Sequence, residues 1–432
     1  MERYLKEEEP IRNNRAAEKK ERQNLYLFAA GKLVSQLGTY SYSFAVSLYI
    51  LKLTGSGATF AFSIMLGVLP RVLFGPIAGS LADRIDRKKM IVLMDFLSGG
   101  VLLILTLLSM LYGLRLPFLY TTTFLLAVIS TFFNTSFAAA IPSLVSDRNL
   151  VKINSYSRAI DSGSQILGPV LAGFFFGFVS MELFLLMNGI SFVLSAISEL
   201  FIDFNLNRAE PVEVGSGQFA IKTFWTDLGE VLSFLRQSPI LSIIMPFSIM
   251  INFLISASLT VVLPFLLNNT LGFSSQQYGA VEGAFSVGML IAALIVGKVP
   301  EKPKKRTGML FGIIGMGVSL ISMGIPGLEI LSDLPNQLLF PSYILLALLF
   351  ALLMLLVDLP MAIVTQRLIP DQIRGRVMGI WSSISGSLSP IGIILAGITL
   401  DLIPSYIIFF ASGLYFITSA IILNRSKALR DL

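Results

Sequence analysis

The stretch Gly75-Pro-Ile-Ala-Gly79-Ser-Leu-Ala-Asp83-Arg84-Ile-Asp86-Arg87-Lys88-Lys89 runs from a small-residue apolar segment into a loop carrying four cations and two carboxylates. Gly75 and Gly79 recur at helical spacing, which lets a neighbouring helix approach closely in a bilayer. Strongly apolar sequence resumes directly after Lys89. A short basic turn between two apolar runs has the character of a cytoplasmic loop between membrane helices.

The rest of the 432-residue chain is of the same kind, with 54% hydrophobic and 13% charged residues and a mean hydropathy of +0.78. A soluble chain of this length needs far more polar surface, so the composition specifies an integral membrane protein. The chain has no cysteine and no histidine. That excludes disulfides, thiol nucleophiles, imidazole relays and Cys/His zinc sites, and leaves proton chemistry to carboxylates. The net charge of +6 and pI near 9.4 arise from cations in loops between apolar spans. Positive-inside topology accounts for them better than nucleic-acid binding does.

Windows of about 20 apolar residues predict about twelve spans, near 25–51, 58–82, 89–112, 117–141, 152–178, 183–204, 239–267, 276–299, 307–326, 339–366, 374–399 and 403–424. With both termini inside, the basic loops share the cytoplasmic face and the other face keeps only Lys52 and Arg115. Residues 1–24 form a charged cytoplasmic tail without the apolar core of a cleavable signal peptide, and 425–432 form a second tail. The polar segment 205–238 reads as a cytoplasmic linker. Its second part is amphipathic, with apolar positions 221, 224, 225, 228, 231, 232 and 235 on one helix face.

That linker separates an N-terminal six-helix bundle, 25–204, from a C-terminal one, 239–424. The halves echo one another. Leu144-Val-Ser-Asp147 leads into a helix with Gly168-Pro169, and Leu368-Ile-Pro-Asp371 leads into one with Ser389-Pro390. The expected fold class is therefore an all-α membrane protein of two pseudo-symmetric six-helix repeats.

On these residues the chain resembles the major facilitator superfamily. Gly79-Ser-Leu-Ala-Asp83-Arg84-Ile-Asp86-Arg87-Lys88 matches its loop motif between the second and third helices, departing at Asp86 where glycine is common. Val34-Ser-Gln-Leu-Gly38, Leu53-Thr-Gly-Ser-Gly57, Leu69-Pro-Arg71, Ile369-Pro-Asp371 and Arg374-Gly-Arg376-Val are similar to the branch that includes macrolide-efflux and enterobactin-exporter proteins. In the fifth span, Gly168, Pro169 and Gly173 resemble the packing motif of drug/proton antiporters. The arginine such antiporters often carry in the fourth span is missing, because no Lys or Arg occurs between Tyr120 and Asp147.

The resemblance implies a conformational latch. Asp83 would meet the start of the eleventh span near Ile373 to Arg376, with Gly75, Gly79, Arg84, Arg87, Lys88 and Arg376 completing it; exposed backbone N–H groups at a helix start favour a carboxylate.

Ionisable groups inside spans cost several kcal/mol each unless paired or wetted. Lys32, Arg71, Asp95, Arg158, Asp161, Glu282 and Asp358 are such groups. Lys32, Asp95, Arg158 and Asp161 lie toward the cytoplasmic ends and can snorkel or pair, with Arg158 and Asp161 three apart as an intrahelical pair would be. Pro360 beside Asp358 suggests a locally broken helix facing a cavity. Candidates for binding a coupling proton or other cation are Asp358 and Glu282, with Asp161, Asp95 and Arg71 behind them. By analogy with the superfamily, a substrate cavity between the halves would draw on Gln36, Tyr40, Asn134, Met250 and Asn252.

The expected function is secondary transport: export of a small amphipathic, drug-like compound across a bacterial cytoplasmic membrane by alternating access against proton influx. A siderophore exporter and a lipid or lysolipid transporter on the same fold are the alternatives. The expected partners are that substrate, protons or another cation, and membrane lipids, with the protein a monomer. No cofactor, metal or nucleic acid is called for, and no Walker loop or nucleophile/base set points to an enzyme.

Overall fold

The computed structural model describes residues 2–82, 85–204, 229, 231, 233–234, 237–296, 305–328, 330 and 334–426. The side chains of 2–18, 147, 296, 305, 366, 371–372, 374–376, 379 and 382–383 are outside that description. Asp83, Arg84 and the Arg376 side chain, all assigned to the latch, therefore lie outside the described residues, as does most of the linker at 205–228.

Among the described residues the chain forms twelve long helices: α1 (Glu2–Thr54), α2 (Gly57–Ala82), α3 (Arg87–Tyr112), α4 (Leu116–Leu144), α5 (Leu150–Phe176), α6 (Met181–Leu200), α7 (Leu241–Thr270), α8 (Ser275–Val296), α9 (Lys305–Gly324), α10 (Asn336–Leu368), α11 (Asp371–Leu400) and α12 (Ser405–Arg425). Nine of these segments are long and apolar enough to cross a membrane by length and composition alone. The other three, α1, α5 and α11, carry charged residues as well. The protein is an all-α membrane protein with the twelve-helix count of two six-helix repeats.

Local chemistry sets the helix ends. Asp86 stands just before α3 and its Oδ1 accepts the amides of Lys88 at 2.9 Å and Lys89 at 3.3 Å. The residue that departs from the superfamily motif is thus the N-cap of the third helix. Ser180 caps α6 in the same way, accepting the Leu183 amide at 3.3 Å. Pro335, Pro370 and Pro404 precede α10, α11 and α12, where a missing N–H costs nothing. Gly55 (φ +64°) and Gly272 (φ +66°) take the left-handed turns after α1 and α7.

Two features differ from expectation. Helix α10 runs unbroken through Pro360, because one lost backbone bond is absorbed within a long membrane helix. The irregular helix is instead α7, which widens into π-helical winding at Ser256–Val262 and again at Leu266–Thr270. There the Leu271 amide reaches back five residues to the Leu266 carbonyl at 2.9 Å.

The chain divides into two compact units, the first made of 1–46 and 66–216 and the second of 47–65 and 217–432. In the first, α3 packs on α6 and α4. A Cβ on Gly99 would stand 2.7 Å from Val193 Cγ2 and 3.0 Å from the Gly189 carbonyl, so the absence of a side chain sets the α3–α6 distance. Phe28, Phe133 and Phe137 fill a core cluster with Leu25, Ile91 and Ile153. Buried Asn24 closes it, its Nδ2 donating to the Leu144 and Asp203 carbonyls at 3.1 and 2.6 Å.

In the second unit, α9 packs on α12 and α10. These are the counterparts of α3, α6 and α4 six helices earlier, so the repeat is visible in the packing. A small-residue contact recurs at the equivalent place, where a Cβ on Gly317 would stand 2.7 Å from the Gly413 carbonyl. A smaller cluster joins Leu241 and Met245 of α7 to Val377 and Ile380 of α11. The start of α2 also belongs to this unit, resting on the end of α11 through Gly57 and Leu400.

Candidate functional site

A polar network, buried at Lys32, Gln36 and Ser157 and half-buried at Asn134 and Asp161, occupies the facing sides of α1, α4 and α5 in the first unit. Lys32 on α1 is 5% exposed. Its Nζ donates to Ser157 Oγ at 2.5 Å and pairs with Asp161 Oδ2 at 2.7 Å, both on α5. One turn along α1, Gln36 donates from Nε2 to Asn134 Oδ1 on α4 at 2.7 Å and to Asp161 Oδ1 at 3.1 Å. Asn134 in turn donates to the Ser130 carbonyl at 2.9 Å. Lys32 and Gln36 are four apart and so share a helix face, which lets Asp161 accept from both.

This revises the pairing expected along α5. Asp161 takes Lys32 as its ion-pair partner, while Arg158 on the same helix is exposed. A cross-helix pair at 2.7 Å satisfies a buried ammonium that would otherwise lack a counter-charge.

Gly168 and Pro169 are buried on α5. A Cβ on Gly168 would stand 2.5 Å from Tyr40 Cβ, and Ser41 Oγ donates to the Gly168 carbonyl at 3.1 Å. Small size at this position seats half-buried Tyr40 against α5. Gly173, one turn further on, is also buried.

Near the start of α1 a groove of about 820 Å³ opens between α1 and α5. Each wall carries a cation over a tyrosine ring, Arg22 Cζ 5.6 Å from the centre of Tyr26 and Lys152 Nζ 5.8 Å from that of Tyr156. Leu25, Leu33 and Ile160 give it an apolar lining. Glu21 sits at its edge and accepts the Ser146 amide at 2.6 Å and the Ser146 hydroxyl at 2.8 Å. Burial pushes the Glu21 carboxyl up, but hydrogen bonds from Asn149 and Ser146 and the Lys152 charge outweigh it and hold it below the usual carboxylate range.

The other residues singled out in the sequence are more dispersed. Asp95 is buried on α3, where Ser35 donates to its Oδ2 at 2.5 Å. Arg71 is exposed on α2. In the second unit, Met250 and Asn252 are exposed on α7, Glu282 is half-buried on α8, and Asp358 is exposed on α10. Among the described residues, nothing lies within 4 Å of where a Cβ on Gly75 or Gly79 would stand. Arg87 and Lys88 bind within their own unit, Arg87 Nη1 to Ser143 Oγ at 3.4 Å and Lys88 Nζ to the Ile202 carbonyl at 2.8 Å.

One buried acid has no place in the sequence reading. Glu199, in the last turn of α6, is fully buried. The signal that finds it is a carboxylate inside an apolar span with no cation at i±3 or i±4.

The family described as transmembrane secretion effector matches residues 22–430. The chain belongs to this family of the major facilitator superfamily. Among its relatives, macrolide efflux protein A of Streptococcus pyogenes is 24% identical over 407 residues, 94% of this chain and 96% of the relative. The multidrug efflux pump Tap of Mycolicibacterium fortuitum is 22% identical over 418 residues, again 94% of this chain and 96% of the relative. The chain also shares its fold with a bacterial homologue of the iron transporter ferroportin, crystallised in an inward-facing state. The TM-score is 0.69 over 94% of this chain and 99% of that one, at 18% identity.

Proposed function

We propose that this chain is a secondary active exporter that moves amphipathic, macrolide-like or multidrug-type compounds out across the bacterial cytoplasmic membrane by alternating access, in exchange for protons. The observation that carries the reading is end-to-end similarity to efflux proteins in a chain whose first unit holds a largely buried polar network between membrane helices. Lys32, Gln36, Asn134 and Asp161 supply the few fixed polar groups an amphipathic ligand needs for orientation, and Tyr40 supplies an adjacent aromatic surface. The groove between α1 and α5, at about 820 Å³, falls within the size range of small-molecule sites, roughly 300–1,000 Å³. Its paired cation–tyrosine walls and apolar lining suit an amphiphile.

Glu282 and Asp358, carboxylates within spans, take and release the coupling proton in this scheme, with Met250 and Asn252 contributing substrate contacts from the second half. The loop motif around Asp83 latches the cytoplasmic ends, and both termini face the cytoplasm. Export of this kind predicts that cells expressing the protein accumulate less of a macrolide such as erythromycin than cells without it, and that a protonophore abolishes the difference. Equal accumulation under all conditions removes the export reading for that compound. An energised difference that survives the protonophore removes proton coupling.

A further inference from the structure

Glu199 and Asp95 lie together on the inner faces of α6 and α3, against α1. Glu199 is 0% exposed and Asp95 1%. Neither forms an ion pair among the described residues, and both Glu199 carboxylate oxygens lack a hydrogen-bond partner there. Two hydroxyls serve the site: Ser35 donates to Asp95 Oδ2 at 2.5 Å and stands 2.9 Å from Ser195 Oγ, which reaches the Gly31 carbonyl at 3.0 Å. Gly31 admits the acid, because a Cβ there would stand 3.2 Å from both Cγ and Oε1 of Glu199.

Among the described residues, no cation on the surrounding helices is committed to these acids. From α1, the Lys32 ammonium is bound to Ser157 and Asp161. From the start of α3, Arg87 binds Ser143, and Lys88 binds the Ile202 carbonyl beyond the end of α6. Lys20 pairs with Asp203 at 3.7 Å. From α4 the nearest polar groups, Ser130 and Asn134, are neutral. The void beside Asp95 is about 10 Å³, space for about one water, and among the described residues no group of three or more acids is gathered that could hold a metal ion. Two desolvated carboxylates without a counter-ion cannot both stay charged, and a proton is the cation that fits.

We propose that Asp95 and Glu199 form a proton-binding site inside the first unit, an acid pair behind α1 that holds one proton. The Ser35 hydroxyl supports the charge on Asp95, leaving Glu199 to carry the proton. Loss of that proton places a second charge against the α1 backbone at Gly31, one residue from Lys32, and so ties the proton to the polar network on α1. Granted the proton-driven export proposed above, the pair is a coupling site distinct from Glu282 and Asp358.

The test is infrared titration of the full-length protein in lipid nanodiscs. The wild type is expected to show a protonated-carboxyl band at neutral pH that loses one carboxyl's intensity in Glu199→Gln. Asp95→Asn reads the same band with Glu199 in place, and removing the neighbouring charge should shift its midpoint to lower pH by about one unit or more. A band unchanged in Glu199→Gln, or a midpoint unmoved in Asp95→Asn, overturns the site. In everted vesicles, erythromycin accumulation driven by an imposed pH gradient should fall by at least about tenfold in Glu199→Gln while gradient-free equilibration persists. Gradient-driven accumulation equal to wild type overturns the coupling role. Failure of the wild type to transport erythromycin counts against the export reading, and the infrared midpoint still decides the proton site.

Discussion

The Asp401 carboxylate covers the first turn of α2, its Oδ1 accepting the Gly57 amide at 2.6 Å. Its Oδ2 accepts the Ser56 hydroxyl at 2.7 Å and the Ala58 amide at 3.2 Å. A side chain from the end of α11 thus does for α2 what an N-cap does from within a helix, placing a negative charge on otherwise unsatisfied amides. Asp401→Ala should lower stability by about 1–2 kcal/mol, with Asp401→Asn losing less because an amide oxygen still accepts. Thermal unfolding in detergent measures both, and a midpoint unchanged in Asp401→Ala removes the cap from the account.

Lys32 and Asp161 should behave as a unit. Asp161→Asn strands a nearly buried ammonium and is expected to cost about 3 kcal/mol, the lower end for a broken buried pair, because the Asp161 side chain is itself 43% exposed. The double variant Lys32→Met/Asp161→Asn should recover part of that loss. Strictly additive losses in a double-mutant cycle would show that the two side chains do not depend on each other.

Gly168 leaves no room for a side chain. Gly168→Val should force α5 away from Tyr40 and destabilise the protein by about 1–3 kcal/mol. The neighbouring exposed position offers a control, since Leu167→Val should be nearly silent. Comparable unfolding midpoints for the two variants would contradict the close α1–α5 contact.

The Glu21 contact with Ser146 should depend on pH. Its folded carboxyl titrates below the ordinary value of 4.5, so its stabilisation is complete above that value and is lost as the pH falls through the lower folded one. Solvent screening keeps the effect at about 0.5 kcal/mol or less. Glu21→Gln should therefore sit slightly below wild type in thermal stability at pH 7 and merge with it in strong acid. A gap that widens on acidification would reverse the assignment.

The helices were legible because each apolar run is bounded by charge or by Gly and Pro, and α2, α3, α4 and α12 fall within a few residues of their expected spans. Side-chain pairing was less so. Arg158 and Asp161 lie three apart, yet α5 turns Asp161 toward α1, and only tertiary packing decides between an intrahelical and a cross-helix partner. Asp86 looked like an extra loop charge, whereas its place one residue before α3 makes it a cap. Pro360 drew attention to α10, but the winding that departs from regularity lies in α7, where Pro264, which has no N–H for the Thr260 carbonyl, stands between the two π-wound stretches. Glu199 escaped notice because its span ends only a turn later, where a carboxylate passes for a solvated terminus.

Helices α1 and α7 are counterparts in the repeat, yet only α7 carries π turns. Each π turn houses about one more residue than an α turn, so α7 has slack that α1 lacks. Removing one residue from Ser256–Val262 should let that turn close into ordinary α winding and leave every later side chain of α7, Asn268 and Asn269 included, facing nearly as before, whereas the same deletion in α1 should swing everything beyond it by about 100° around the axis. The two repeats are thus alike in order but not in stiffness: one leads with a rod, the other with a spring.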